Sequence, residues 1–262
     1  MISWLRRRWD SLAAVTPPLT PHELSGDERA LLSARWVEWD LLDEIERARL
    51  ESLIGAFFES IRFEAAKGFA VTSQMRLLIA AQASLLLLGL DLDRFWATPT
   101  VIVHPSTVVR RGRRSVGVGR VESSSSQRVE GLAVPRGPVV LSWSAVETDL
   151  RSPGRGRNVV YHEFAHRLDM LDGIVDGSPP IADEAAAERW IEVFTDAFER
   201  LRARDGHTGR GVLRAYGATN PAEFFAVATE ALFTDPAGLH AGEPDLYAQL
   251  ASFYGQDPRR RR

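Results

Sequence analysis

Tyr161-His162-Glu163-Phe164-Ala165-His166 reads H-E-x-x-H. Two histidines four residues apart fall on one face of an α-helix, because four residues is just over one turn. Both imidazoles can then face one metal ion, and Glu163, beside the first of them, can reach a water bound to that ion. Two nitrogen ligands, an open coordination position and a nearby carboxylate base are what a zinc hydrolase needs. Phe164, Ala165 and Leu168 add small or apolar residues at helical spacing, behind Asn158-Val159-Val160. The segment therefore predicts an amphipathic helix with a buried face. The plainer alternative is a helix that happens to carry two histidines.

Zinc needs at least a third protein ligand, and spacing leaves three carboxylates open. Asp172 follows His166 by six residues, the spacing of zincins whose helix breaks and turns back to the metal, but the turn glycine such proteins need is replaced by Asp169 and a glycine comes only at Gly173. Glu223 lies at the start of a second predicted helix, with Asn220 as N-cap and Pro221 in the first turn. It fits a ligand and a capping-box carboxylate equally well. Glu230 stands seven residues further along the same face, about 10 Å up the axis, as a ligand or a buried carboxylate behind one. Asp169 shares the helix face of His162 and His166. It is expected to accept an imidazole N–H and fix that ring, the alternative being a solvated Asp at a helix end.

Several stretches together are similar to the Mlc titration factor A family of bacterial zinc peptidases. His162-Glu163-Phe164-Ala165-His166-Arg167-Leu168-Asp169 resembles the family's metal helix, and Asn220-Pro221-Ala222-Glu223-Phe224-Phe225-Ala226-Val227 is equally specific. Met75-Arg76-Leu77-Leu78-Ile79-Ala80-Ala81-Gln82-Ala83, the leucine run at 85–90, Gly137-Pro138-Val139-Val140-Leu141-Ser142-Trp143 and Phe253-Tyr254-Gly255-Gln256-Asp257-Pro258 follow in the family's order, over about 25 to 258. The resemblance implies Glu223 as the third ligand of one Zn²⁺ per chain, and demotes Asp172 and Glu230. It implies an α+β, zincin-like fold resembling the lethal-factor catalytic domain, in which a tyrosine seven residues before the ligand glutamate assists catalysis. Tyr216 holds that position and would hydrogen-bond a developing oxyanion; its plain reading is a half-buried aromatic at a loop.

The implied chemistry is peptide hydrolysis, aminopeptidase-like, by a zinc-activated water with Glu163 as general base. Zincin substrates usually lie as an extra strand on a sheet edge, and Val139-Val140-Leu141-Ser142-Trp143 reads as a strand whose free edge, at Leu141, Ser142 and Trp143, would receive one. The family also implies a second role, binding and inactivating a transcriptional repressor of sugar uptake; no residue of this chain identifies such a partner.

Composition excludes several classes. The 262-residue chain has no cysteine, so a thiol nucleophile, a disulfide framework and a Cys-ligated zinc finger are ruled out. A net charge of −3 gives no global pull towards nucleic acid. No apolar run approaches the ~20 residues of a membrane span, and Trp4, Leu5, Arg6, Arg7, Arg8 and Trp9 are not followed by the apolar stretch of a signal peptide. A cytoplasmic location is expected.

The chain divides into a loosely attached segment 1–25, a single peptidase domain 26–258 and a basic tail 259–262. Within the domain, 26–92 reads as helical, with core stripes at Trp36, Trp39, Leu42, Ile45 and Leu50, then Leu53, Phe57, Phe58, Ile61 and Phe63, and with Thr72 or Ser73 capping the next helix. The catalytic part, 96–258, opens with short β-runs around Val101-Ile102-Val103, a basic stretch at 110–114 and a polar loop at 123–126. His104 has no metal-spaced partner and reads as structural. Helices are expected at 185–204, after Asn220, and near 245–254, before a disordered tail.

Overall fold

The computed structural model describes residues 19–66, 68–90, 100–106, 108–110, 127–129, 131–133, 137–204 and 211–261. Helices α1 (Gly26–Arg35), α2 (Val37–Leu41) and α3 (Glu44–Ser60) come first, and Ser25/Glu28 and Asp43/Glu46 close capping boxes on α1 and α3. Strand β1 (Arg62–Ala65) leads to α4 (Ser73–Leu85), where Thr72 Oγ1 accepts from Met75 N–H. Five strands follow: β2 (Thr100–His104), β3 (Val108–Arg110), β4 (Gln127–Val129), β5 (Gly131–Ala133) and β6 (Val139–Ser142). Then come α5 (Trp143–Arg151), α6 (Val159–Asp169), α7 (Glu184–Ala203), α8 (Pro221–Thr234), α9 (Pro236–Gly242) and α10 (Pro244–Tyr254).

The main sheet has the order β1-β2-β6-β5. Its first three strands are parallel and β5 joins β6 antiparallel; β3 and β4 form a separate antiparallel pair. The H-E-x-x-H helix α6 packs against β5 and β6 on one side and against α4 and α8 on others. This is the α+β, zincin-like arrangement expected. Aromatic rings lock the layers together: Phe57 meets Phe164 at 5.7 Å between centroids, Tyr161 meets Phe233 at 5.6 Å, and Trp190 stacks on Phe194 at 3.8 Å. Among the described residues no helix is long and apolar enough to cross a membrane.

The helical pattern of 26–92 is interrupted by β1. Ile61 is extended (φ −118°, ψ 124°), and Arg-Phe-Glu-Ala pairs with β2. Four residues are too few for period 2 to stand out from 3.6. Ile45 and Phe58 leave the predicted stripes, 82% and 37% exposed, while Trp36, Trp39, Leu42, Leu50, Leu53 and Phe57 are buried.

The expected free edge at Leu141, Ser142 and Trp143 does not exist. β6 is an interior strand, hydrogen-bonded to β2 on one side and β5 on the other. Leu141 and Ser142 are buried, Ser142 caps α5, and Trp143 is the first residue of that helix. Among the described strands, β5 is the sheet edge beside α6.

Leu24 and Arg261, near the two limits of the described residues, are both held by glutamates of α3. Leu24 is buried and its N–H donates to Glu51 at 3.0 Å. Arg261 forks onto Glu46 at 2.7 and 3.0 Å and donates to Gln256 at 2.8 Å, so the basic tail is anchored through that residue. Residues 1–18, 111–114 and 123–126, which include the Trp4/Trp9 cluster, lie outside the described residues.

Asn158 starts α6 and is the polar hinge of the core. Its Oδ1 accepts from Val160 and Tyr161 N–H, both at 3.0 Å, and its Nδ2 donates to Gln82 Oε1 at 2.7 Å. Gln82 in turn donates to Leu78 O at 2.8 Å. Replacing Asn158 by Ala removes a cap and strands a buried acceptor. Asn158→Ala is expected to lower unfolding stability by about 2 kcal/mol, against about 1 kcal/mol for Asp43→Ala at the exposed cap of α3, both measured by urea denaturation. Equal losses would mean that the buried amide contributes no more than a surface cap.

Candidate metal centre

Every residue of α6 from Val159 to Asp169 is buried, including His162, Glu163, His166, Arg167 and Asp169. Burying that many polar groups is tolerable only where partners are supplied. The first comes from α8. Pro221 occupies the first turn, Asn220 Oδ1 accepts from Glu223 N–H at 3.0 Å, and Glu223 is thereby set at the third helical position. Only this half of a capping box forms. The Glu223 carboxylate turns to the histidines instead, with Oε2 3.0 Å from His162 Nε2 and 3.4 Å from His166 Nε2.

Among the described residues, His162, His166 and Glu223 are the group of His, Cys, Asp or Glu side chains whose donor atoms converge, all within 4.8 Å of one another. Tetrahedral ligands at zinc distances are separated by about 3.3 Å, so the 3.0 and 3.4 Å spacings suit a single small cation. The charge balance fits as well. Burial pushes the His162 imidazole down, but the charge of Glu230 and the hydrogen bonds of Glu223 and Glu230 outweigh it and hold it up to about 10. Burial would raise the Glu223 carboxyl, yet its contacts with His162 and His166 bring it well below the usual carboxylate range. Glu230 is answered by Arg214, which leaves Glu223 and Glu163 as the carboxylates facing the two imidazoles, a donor set suited to a cation.

Glu163 is 5% exposed and raised in pKa by burial, an effect the charges of His162 and His166 offset in part. Its carboxylate takes a hydrogen bond from Ala133 N–H of β5, while Oε2 is a buried acceptor with no protein partner. An acceptor aimed into a polar site without a partner fits a carboxylate that serves a bound water. Tyr216 lies in the 3₁₀ turn Ala215–Thr219, with its ring 5.9 Å from that of His162, and is 37% exposed. It thus stands at the mouth of the same site.

The carboxylate behind an imidazole is Glu230 and not Asp169. Glu230 Oε1 lies 2.7 Å from His162 Nδ1, so a cation that displaces the Nε2 proton would leave the Nδ1 proton on Glu230 and Nε2 facing the ion position. Glu230 is 1% exposed and is held by Asn158 N–H at 2.6 Å and by the Arg214 guanidinium. Asp169 makes no hydrogen bond to an imidazole: His166 Nδ1 and Asp169 Oδ1 are both without a partner. Its other oxygen accepts from Gly177 N–H at 3.1 Å, and burial raises its pKa to about 7. Gly177, at φ +78°, packs against the Pro221 backbone where no Cβ would fit, so Asp169 anchors the loop that buttresses the start of α8. Asp172 is engaged with Ile174 N–H at 2.8 Å in the 3₁₀ turn after α6, outside the converging group.

Arg214, Gly131 and Ala133 were not legible as site residues. Each reaches the site through strand order or loop course, which no local spacing encodes. Glu230 did carry a signal, since it lies two turns beyond Glu223 on the same face of α8.

Residues 4–255 match the family model described as glucose-regulated metallo-peptidase M90. An uncharacterized protein of Synechocystis, slr2042, is 32% identical over 250 residues, 95% of this chain and 89% of that one. Proteins named Mlc titration factor A are similar too. That of Serratia proteamaculans is 32% identical over 220 residues, 83% of this chain and 82% of its own; that of Yersinia pestis is 31% identical over 83% and 80%. With the match running through both helices of the candidate site, the chain belongs to the glucose-regulated metallo-peptidase M90 family, and is a metallopeptidase at that level.

Proposed function

We propose that this protein is a zinc-dependent peptidase of the H-E-x-x-H plus glutamate type, aminopeptidase-like and acting on short peptides in the cytoplasm. The observation that carries the reading is the convergence of His162 Nε2, His166 Nε2 and Glu223 beside the partnerless Oε2 of Glu163. His162, His166 and Glu223 would hold one Zn²⁺. When bound, that ion supplies Lewis acidity and lowers the pKa of water at the site towards ~7.

The protein's own groups do the rest. Glu230 keeps the His162 ring oriented and in one tautomer. Glu163 takes a proton from the attacking water and returns it to the leaving amine. Tyr216 donates its hydroxyl to the oxyanion that develops on the scissile carbonyl. The substrate backbone pairs with the outer edge of β5, which lies against α6 and ends beside Glu163.

A second reading is supported by the name of the relatives: a binding protein that sequesters a transcriptional repressor of sugar uptake, with peptidase activity secondary. The two are compatible and are separated by a variant that keeps the fold but loses the base.

Glu163→Gln is expected to bind one zinc per chain, as the unaltered protein does, and to cleave a random-sequence peptide pool about 10²–10⁴-fold more slowly, read by mass spectrometry. Full activity in that variant would remove Glu163 from the mechanism. A cellular phenotype that survives it unchanged would favour the binding role. Tyr216→Phe is expected to lower kcat about a hundredfold with zinc content and KM retained. A rise in KM alone would instead make Tyr216 a substrate-binding side chain.

A further inference from the structure

We infer that Gly131 on β5 is a positioning residue for Glu163, and that the missing side chain at this point of the strand is what sets the carboxylate in its working place. This rests on the reading of Glu163 as general base. The β5 strand is only three residues long, Gly131–Ala133, and it faces the buried Glu163 side chain of α6. A Cβ added to Gly131 would stand 2.6 Å from Glu163 Cδ and closer still to Oε1, inside ordinary van der Waals contact. Gly131 is not among the positive-φ glycines, so its backbone would accept any L-residue. Its glycine is required by space and not by conformation.

Two residues on, Ala133 N–H hydrogen-bonds the same carboxylate. One strand thus supplies a gap and a donor to a single side chain. Glu163 cannot retreat cheaply from a methyl group there. Moving off β5 breaks the Ala133 hydrogen bond, in a site where the like charge of Glu223 is already felt. The gap lies on the sheet edge that the peptide is proposed to join, so base and substrate are registered by one short strand. A displacement of about 1 Å in such a group can cost about a hundredfold in rate.

The test is a cycle of Gly131→Ala, Glu163→Ala and the double variant, each assayed for zinc content, thermal unfolding and hydrolysis of the best-cleaved peptide from a random pool. Gly131→Ala alone is expected to lower kcat about a hundredfold at unchanged KM and one zinc per chain, and to lower Tm. In the Glu163→Ala background, where the methyl group has room, the same change is expected to lower Tm by less than half as much. An unchanged kcat, or an equal fall in Tm in both backgrounds, overturns the inference. Should the unaltered protein show no zinc-dependent hydrolysis, the general-base reading fails, and the Tm cycle alone still decides whether Gly131 makes room for Glu163.

Discussion

A single buried imidazole, held at both nitrogens by carboxylates from one helix, is the interaction on which the rest of the structure depends. His162 meets Glu230 at Nδ1 and Glu223 at Nε2, 2.7 and 3.0 Å away. Both glutamates project from α8, two turns apart, so α6 and α8 must pack in one register for the contacts to form. The register fixes what surrounds them. A carboxylate that is 1% exposed needs its charge answered, and Glu230 finds Arg214, the Asn158 N–H and the imidazole. Asn158 then ties the start of α6 to Gln82 of α4, and through that helix to α3, against which it packs.

The opposite side of α6 meets the sheet by a different device. Whereas α8 brings side chains to the site, β5 brings backbone: a glycine that leaves room and an N–H that donates to Glu163. The H-E-x-x-H motif is thus clamped between a charged helix and a bare strand. Its two histidines and its glutamate are oriented by separate elements, and change on one side need not disturb the other. The sheet order makes this possible, since β6 lies between β2 and β5 and, among the described strands, β5 is the sheet edge beside the site.

Residues within one element of each other were largely legible before the fold was known. The H-E-x-x-H face follows from helical period, and the Asn220-Pro221 start places Glu223 on the third position of its helix. On α7, Trp190, Val193, Phe194, Ala197 and Leu201 recur at helical spacing and are buried, with Phe198 of the same side partly buried. Choosing Glu223 over Asp172 and Glu230 took a resemblance, because helical period assigns a face and not the ring nitrogen that a carboxylate meets. What spacing could not provide is everything set by strand order. The free edge was placed at Leu141, Ser142 and Trp143 because β6 is the more obvious strand, whereas Gly131-Leu132-Ala133 is too short and too weakly patterned to read as one. Asp169 was assigned an imidazole on shared helix face and family likeness, whereas its carboxylate accepts from the Gly177 loop. Arg261, in a run of arginines that looks solvated, owes its anchoring to Glu46 at the far end of the chain.

The central claim is that His162, His166 and Glu223 form one zinc site, with Glu230 holding His162 from behind. The most direct measurement is anomalous X-ray diffraction at the zinc edge from crystals of the protein purified without chelator. The account predicts one peak per chain, about 2.0–2.2 Å from His162 Nε2, His166 Nε2 and a Glu223 carboxylate oxygen, with Glu230 still on Nδ1. A peak ligated by Asp172 or Glu230 in place of Glu223, or zinc bound away from α6, would contradict it.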